Sequence, residues 1–145
     1  MKVKVEIIDR EREETATLAV HQVTEELESI INKLKKNNEE ITGQLEGTTH
    51  RISLSEIYYI EAVEHRTFVY TKDKVYEIKE KLYQLEEKYH KIDFMRISKS
   101  VIVNIDKIVS IAAVINSRFE LKLENSEKVL VSRSYIKELK RRLQM

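Results

Sequence analysis

From residue 41 onward the chain is cut into short stretches dense in β-branched and aromatic residues, at 41–45, 51–54, 58–62, 67–71 and 75–78, then 94–97, 101–103, 107–115, 119–124 and 128–132. No other feature constrains the fold as strongly, because such residues suit a pleated, half-buried surface and their regular interruption prevents any long helix. Lys72-Asp73-Lys74 and Asn125-Ser126 read as the hairpin turns between neighbouring stretches. Only two helical patterns interrupt or follow the β stretches. One runs over 81–90 with Leu82, Leu85 and Tyr89 on one side; the other, over 134–144, turns Ile136, Leu139 and Leu143 inward and leaves Lys137, Lys140 and Arg141 toward solvent. The aromatics Tyr58, Tyr59, Phe68, Tyr70 and Tyr76 alternate within strands, which points to core packing rather than to a stacking platform for single-stranded nucleic acid.

The first forty residues follow other rules. Val3, Val5 and Ile7 alternate with Lys4 and Glu6, so a short strand is expected to open the chain. Over 14–36 the apolar positions Ala16, Val20, Val23, Leu27, Ile30 and Leu34 recur at spacings of 4, 3, 4, 3 and 4, one continuous helical stripe. Glu13 and Glu14 at its start and Lys33, Lys35 and Lys36 at its end suit the helix dipole, and Asn37-Asn38 ends it. Because the stripe covers less than three heptads, packing against the chain's own strands is the favoured expectation over an intermolecular coiled coil, with a dimer role left open. Residues 1–40 are thus a strand-helix extension for packing or dimerisation, and 41–145 the main domain.

Composition excludes several classes. A chain of 145 residues with 41% hydrophobic and 35% charged side chains makes one globular domain with a short extension. There is no apolar run long enough to span a membrane and no signal-peptide core, so a cytoplasmic location is expected. No cysteine is present, which removes disulfides and thiolate metal sites; the histidines at 21, 50, 65 and 90 lack the spacing of metal ligands. With two glycines and no proline there is no Gly-rich phosphate loop, and no catalytic motif is visible, so neither enzyme, cofactor nor small-molecule substrate is expected. Charge is divided unevenly: residues 1–46 carry 7 basic and 11 acidic side chains, whereas 47–145 carry 19 and 14. The second part is the candidate anion binder.

Within that part, residues 94–104 place Arg96, Ser98, Lys99 and Ser100 at the edge of an otherwise apolar β run, where a buried strand has no use for them. A nucleic-acid groove does, since cations neutralise phosphate or read base edges and hydroxyls donate to phosphate oxygens. A second such place is 131–135, where a strand gives way to a helix at Arg133. From the residues alone, an interaction module that uses sheet edges and the N-terminal stripe to bind a protein partner without touching DNA is the alternative.

Taken together, Tyr58-Tyr59-Ile60-Glu61-Ala62, His65-Arg66, the run from Phe94 through Arg96-Ile97-Ser98-Lys99-Ser100 to Asn104, and Val131-Ser132-Arg133-Ser134-Tyr135 resemble the LytTR family of bacterial DNA-binding domains over about residues 41–143. The resemblance implies an elongated α+β fold, predominantly antiparallel β, that binds double-stranded DNA through loops rather than through a helix laid in the major groove. It implies His65 with Arg66 in a first DNA-facing loop, Lys99 in a second and Arg133 in a third. Beside them, from the residues themselves, Arg96, Ser98 and Ser100 complete a compact phosphate-and-base contact set around Lys99, and Lys137 is read as a phosphate contact or an ordinary solvated cation. Two departures stand out: Ser98 replaces a histidine found in many members, which bears on base preference, and Asn125-Ser126 replaces the usual Asn-Gly turn. Residues 1–40 are too few for the receiver domain most members carry, so phosphorelay control is not expected. Short members of the family that resemble this chain lead one to expect a small membrane protein as restraining partner. A transcriptional regulator acting as a homodimer on paired sites is expected because one set of three loops covers a short site and doubling the contacts raises discrimination.

Overall fold

A computed structural model describes all 145 residues. In chain order, the elements are α1 (Glu25–Asn38), β1 (Glu40–Leu45), β2 (Thr48–Ser53), β3 (Tyr59–Val63), β4 (Arg66–Tyr70), β5 (Val75–Ile78), α2 (Leu82–Tyr89), β6 (Phe94–Arg96), β7 (Val101–Asn104), β8 (Ile108–Val114), β9 (Arg118–Leu123), β10 (Lys128–Val131) and α3 (Arg133–Arg142). All strand pairs are antiparallel: seven strands form one sheet in the order β2-β1-β5-β4-β3-β7-β6, and three form a second in the order β10-β9-β8. The α+β, mainly antiparallel architecture expected from the sequence is the one observed. No helix is long and apolar enough to cross a membrane.

Two apolar clusters explain why the 94–104 run reads as nearly continuous hydrophobicity. Phe94 and Ile102 join Ile52, Ile60, Val69 and Leu85 in a cluster covered by α2. Their neighbours Met95, Ile97 and Val103 point the other way, into a second cluster with Leu121, Leu123, Val131 and Leu139 from the small sheet and α3. Strands β6 and β7 are therefore buried on both faces, a situation that removes the polar half of the usual alternation. Close approach is also built in at Gly43, where a Cβ would lie 2.9 Å from both Ile52 Cδ1 and Tyr76 Cβ. Tyr58 and Tyr76 are buried, and Tyr59 and Tyr70 stack at 4.2 Å between ring centres, so these aromatics serve packing.

The N-terminal expectations fail in an instructive way. Val3, Val5 and Ile7 form no strand and stay 82%, 86% and 96% exposed, since alternation makes a strand only where a sheet edge receives it. The helix begins at Glu25 rather than near residue 14, with Thr24 as N-cap accepting from the Leu27 N–H at 3.2 Å. Upstream, Ala16 and Val20 meet nothing that would bury them, and a short helix without packing is marginal in water. Nor does the stripe pack on the chain's own strands. Val23, Ile30 and Leu34 remain 61%, 50% and 39% exposed, and α1 docks through its polar face, burying Asn32 and Lys36.

Lys36, only 2% exposed, anchors that docking. Its ammonium donates to Asn104 Oδ1 at 2.8 Å and to Asp106 Oδ2 at 2.7 Å, and lies 5.0 Å from the centre of the Phe94 ring. Burial pulls the Lys36 pKa down despite the Asp106 carboxylate, which works in the opposite direction. Asn104 is itself satisfied, its Nδ2 donating to the Ile57 carbonyl at 2.8 Å. Ser53 Oγ donates to the Lys36 carbonyl, and Gln144 Nε2 donates to Glu25 Oε2, tying both ends of α1 to the domain.

Candidate nucleic-acid interface

Three connections carry the residues singled out in the sequence. The first is the two-residue β3–β4 turn, Glu64-His65, whose φ angles of 50° and 67° are those of a primed hairpin turn normally given to Asn-Gly. Histidine is among the few non-glycine residues enriched in this conformation. The turn is pinned by Lys81 Nζ, which donates to the His65 carbonyl at 2.7 Å and leaves the imidazole exposed.

The second connection, Ile97–Ser100, joins β6 to β7. Ile97 is fully buried at its root, and Lys99 is exposed at its tip. Arg96 holds the loop from within: its Nε donates to the Ser98 carbonyl at 2.8 Å and its Nη2 to the Lys99 carbonyl, while Nη1 reaches Glu86 Oε2 at 3.5 Å. Ser98 also works inside the loop, its Oγ accepting from the Ser100 N–H at 3.2 Å. The third connection is Ser132 alone, between buried Val131 of β10 and α3; Arg133, expected in a loop, is instead the first residue of that helix, and it and Lys137, one turn on, are exposed to solvent.

Two backbone hydrogen bonds make these connections neighbours. Ala62 N–H, at the end of β3, donates to the Ser100 carbonyl at 2.8 Å, and Ser132 N–H donates to the Ile97 carbonyl at 2.9 Å. The second loop is thus clamped between the first and the third. His65 and Lys99 line one concavity with Arg96, Lys81 and Tyr83. Arg133 is joined to this group through the Ser132–Ile97 bond.

The cations differ in how far they are engaged. Arg66, the first residue of β4, forks onto Glu77 at 2.7 and 2.8 Å, with its guanidinium 5.2 Å from the Phe68 ring. That bond holds the Glu77 carboxyl below the usual carboxylate range. No ion pair engages Lys99, Arg133 or Lys137. No group of three or more His, Cys, Asp or Glu side chains comes together in the way a metal ion needs.

Sequence reading missed three members of this surface. Lys79 and Lys81 follow β5 and, with His65 and Arg66, line the cavity next to the concavity. Tyr83 stands 66% exposed at its lip. A signal for Tyr83 was present: it lies off the Leu82, Leu85, Tyr89 stripe of α2, so its ring had no core to enter.

Comparison with known proteins gives concordant results. Residues 47–144 match the model of the LytTr DNA-binding domain. The "Sensory transduction protein LytT" of Bacillus cereus is 31% identical over 94 residues, covering 65% of this chain and 38% of the relative. The protein of the same name from Enterococcus faecalis is 28% identical over 135 residues, covering 90% of this chain and 56% of the relative. The "Transcriptional regulatory protein YpdB" of Escherichia coli is 34% identical over 88 residues, covering 60% and 36%. This chain therefore spans less than two thirds of each of these relatives. Among solved structures, a LytTr DNA-binding domain from Bacillus cereus superposes with a TM-score of 0.69 at 28% identity, covering 73% of this chain and 97% of that one.

Proposed function

We propose, for a chain that belongs to the LytTR family of DNA-binding domains, that it is a cytoplasmic transcriptional regulator whose three clamped loops read double-stranded DNA in a sequence-specific way. The observation that carries this reading is the clamp itself. Two backbone hydrogen bonds hold the loops of His65 and Lys99 and the start of α3 at Arg133 side by side, with Lys99, Arg133 and Lys137 exposed and free of carboxylates. Charged side chains with no partner on the protein are suited to a phosphate backbone and to base edges.

Roles follow from chemistry. Arg133, projecting from the first turn of α3, grips guanine O6 and N7 in the major groove with its paired donors. Lys99 and His65 contact bases or phosphates from the concavity, and Lys137 with Ser100 meets the backbone. Arg66 is a phosphate contact in reserve: an exposed ion pair contributes little to stability, so phosphate can replace Glu77 at small cost. Arg96 shapes the second loop, and Ser98 does the same, rather than touching DNA. Two copies on paired sites would double the contacts and sharpen discrimination against the rest of a genome. Restraint by a small membrane protein rests on the family resemblance alone.

Selection of bound fragments from a random duplex library tests this reading, followed by titration of the selected site. Arg133→Ala is expected to cost about 1–3 kcal/mol of specific affinity and to relax one base position. Failure to enrich any sequence, or unchanged affinity of Arg133→Ala for the enriched site, would overturn it.

A further inference from the structure

We infer that the exposed stripe of α1 is the seam across which two copies of this chain pair, antiparallel about a two-fold axis and without help from DNA. The inference goes beyond the DNA-binding reading and is tested in the absence of DNA. It begins with an inversion: a helix whose apolar residues were expected to face the domain faces away from it. Lys36 and Asn32 hold the opposite, polar side to the domain, while Val23, just before the N-cap, and Ile30 and Leu34 stand in solvent with half-buried Leu27 between them. Because the docking is through buried hydrogen bonds to Asn104 and Asp106, the stripe is presented in one fixed orientation.

Spacing and charge identify the occupant. Val23, Leu27, Ile30 and Leu34 recur at 4, 3 and 4, the repeat of a coiled-coil seam. Glu26 and Lys33 occupy equivalent flanking positions one heptad apart. In a parallel pair each would face an uncharged residue of the second copy, Ile31 or Asn38. In an antiparallel pair that sets Leu27 against Ile30 and Val23 against Leu34 of the second copy, Glu26 of each chain meets Lys33 of the other, twice by symmetry. The antiparallel arrangement also opposes the two helix dipoles. A self-complementary patch of this kind is what a two-fold dimer requires. The seam is shorter than the interfaces that hold lasting dimers, so pairing should be reversible and depend on concentration.

Sedimentation velocity of the full chain over a concentration series, without DNA, is the test. The wild-type chain is expected to shift from monomer toward dimer as concentration rises. Ile30→Glu should leave it monomeric, with the circular dichroism melt of the wild type at concentrations low enough for the wild type to be monomeric too, because Ile30 belongs to neither core cluster. Glu26→Lys and Lys33→Glu should each weaken pairing at least tenfold, and mixing the two single variants should restore it as a heterodimer. A wild-type chain that stays monomeric throughout, an Ile30→Glu dimer, or a mixture that does not recover would each overturn the inference. Loss of DNA binding with pairing intact would refute only the DNA reading.

Discussion

Replacing Arg96 by lysine separates the shape of the second loop from its charge. Arg96 makes two charge-assisted hydrogen bonds, to the carbonyls of Ser98 and Lys99, and a planar fork is needed to reach both at once. Lysine keeps the positive charge and can hold one carbonyl. A hydrogen bond to a charged group contributes roughly 1.5–3 kcal/mol; with a side chain 22% exposed, the lower half of that range applies. If ordering the loop is then deferred to the DNA complex, affinity should fall by about 1.5–2 kcal/mol, roughly 10- to 30-fold. Fluorescence anisotropy on the selected site, repeated over a range of salt, measures both the loss and its origin. In the companion variant Arg96→Gln, affinity should fall while the slope of log affinity against log salt stays as in the wild type. Wild-type affinity in Arg96→Lys, together with a slope reduced by about 0.9 in Arg96→Gln, would identify Arg96 as a phosphate contact and refute the reasoning.

Three further outcomes are expected. Lys137→Ala should weaken binding equally on specific and unrelated duplexes and lower the salt slope by about 0.9, as read from the same titrations; a sequence-dependent loss would place Lys137 at a base instead. Lys36→Ala leaves Asn104 and Asp106 without their buried donor, and because Asp106 keeps partial access to water the cost should sit near the low end for a broken buried pair, about 3 kcal/mol in chemical denaturation. A loss under about 1 kcal/mol would show that α1 is not held there, given the size expected of such a break. Asp93→Asn should gain on the wild type as pH rises from the ordinary carboxylate range toward neutrality. Burial raises the Asp93 pKa in the folded chain, so the folded state binds the proton better and the wild type is penalised once it must ionise. Asparagine tolerates the left-handed φ of 66° at this position, so backbone strain does not obscure the comparison. Denaturation midpoints that move in parallel from pH 4 to 7 would contradict this assignment of cause, since the effect of Asp93 is a difference in proton binding between the folded and unfolded chains.

Residue patterning by itself determined the β-rich architecture, helices over about 81–90 and 134–144, and the two places, 94–104 and 131–135, where cations and hydroxyls interrupt apolar strands; the His65-Arg66 loop was pointed to by the family resemblance. Those signals are local: a strand buried on one or both faces, or a helix with one apolar side, writes its environment into adjacent residues. What the fold alone decided is non-local. Only the register of β3 with β7 and the Ser132–Ile97 bond bring the loops of His65 and Lys99 and the start of α3 at Arg133 together, and only the positions of the Ser98 and Lys99 carbonyls give Arg96 its bracing hydrogen bonds. The N-terminal segment shows the limit most clearly. Its periodicity correctly announced a helix with an apolar face, but periodicity carries no direction, and a buried lysine paired with Asn104 and Asp106 turned that face outward.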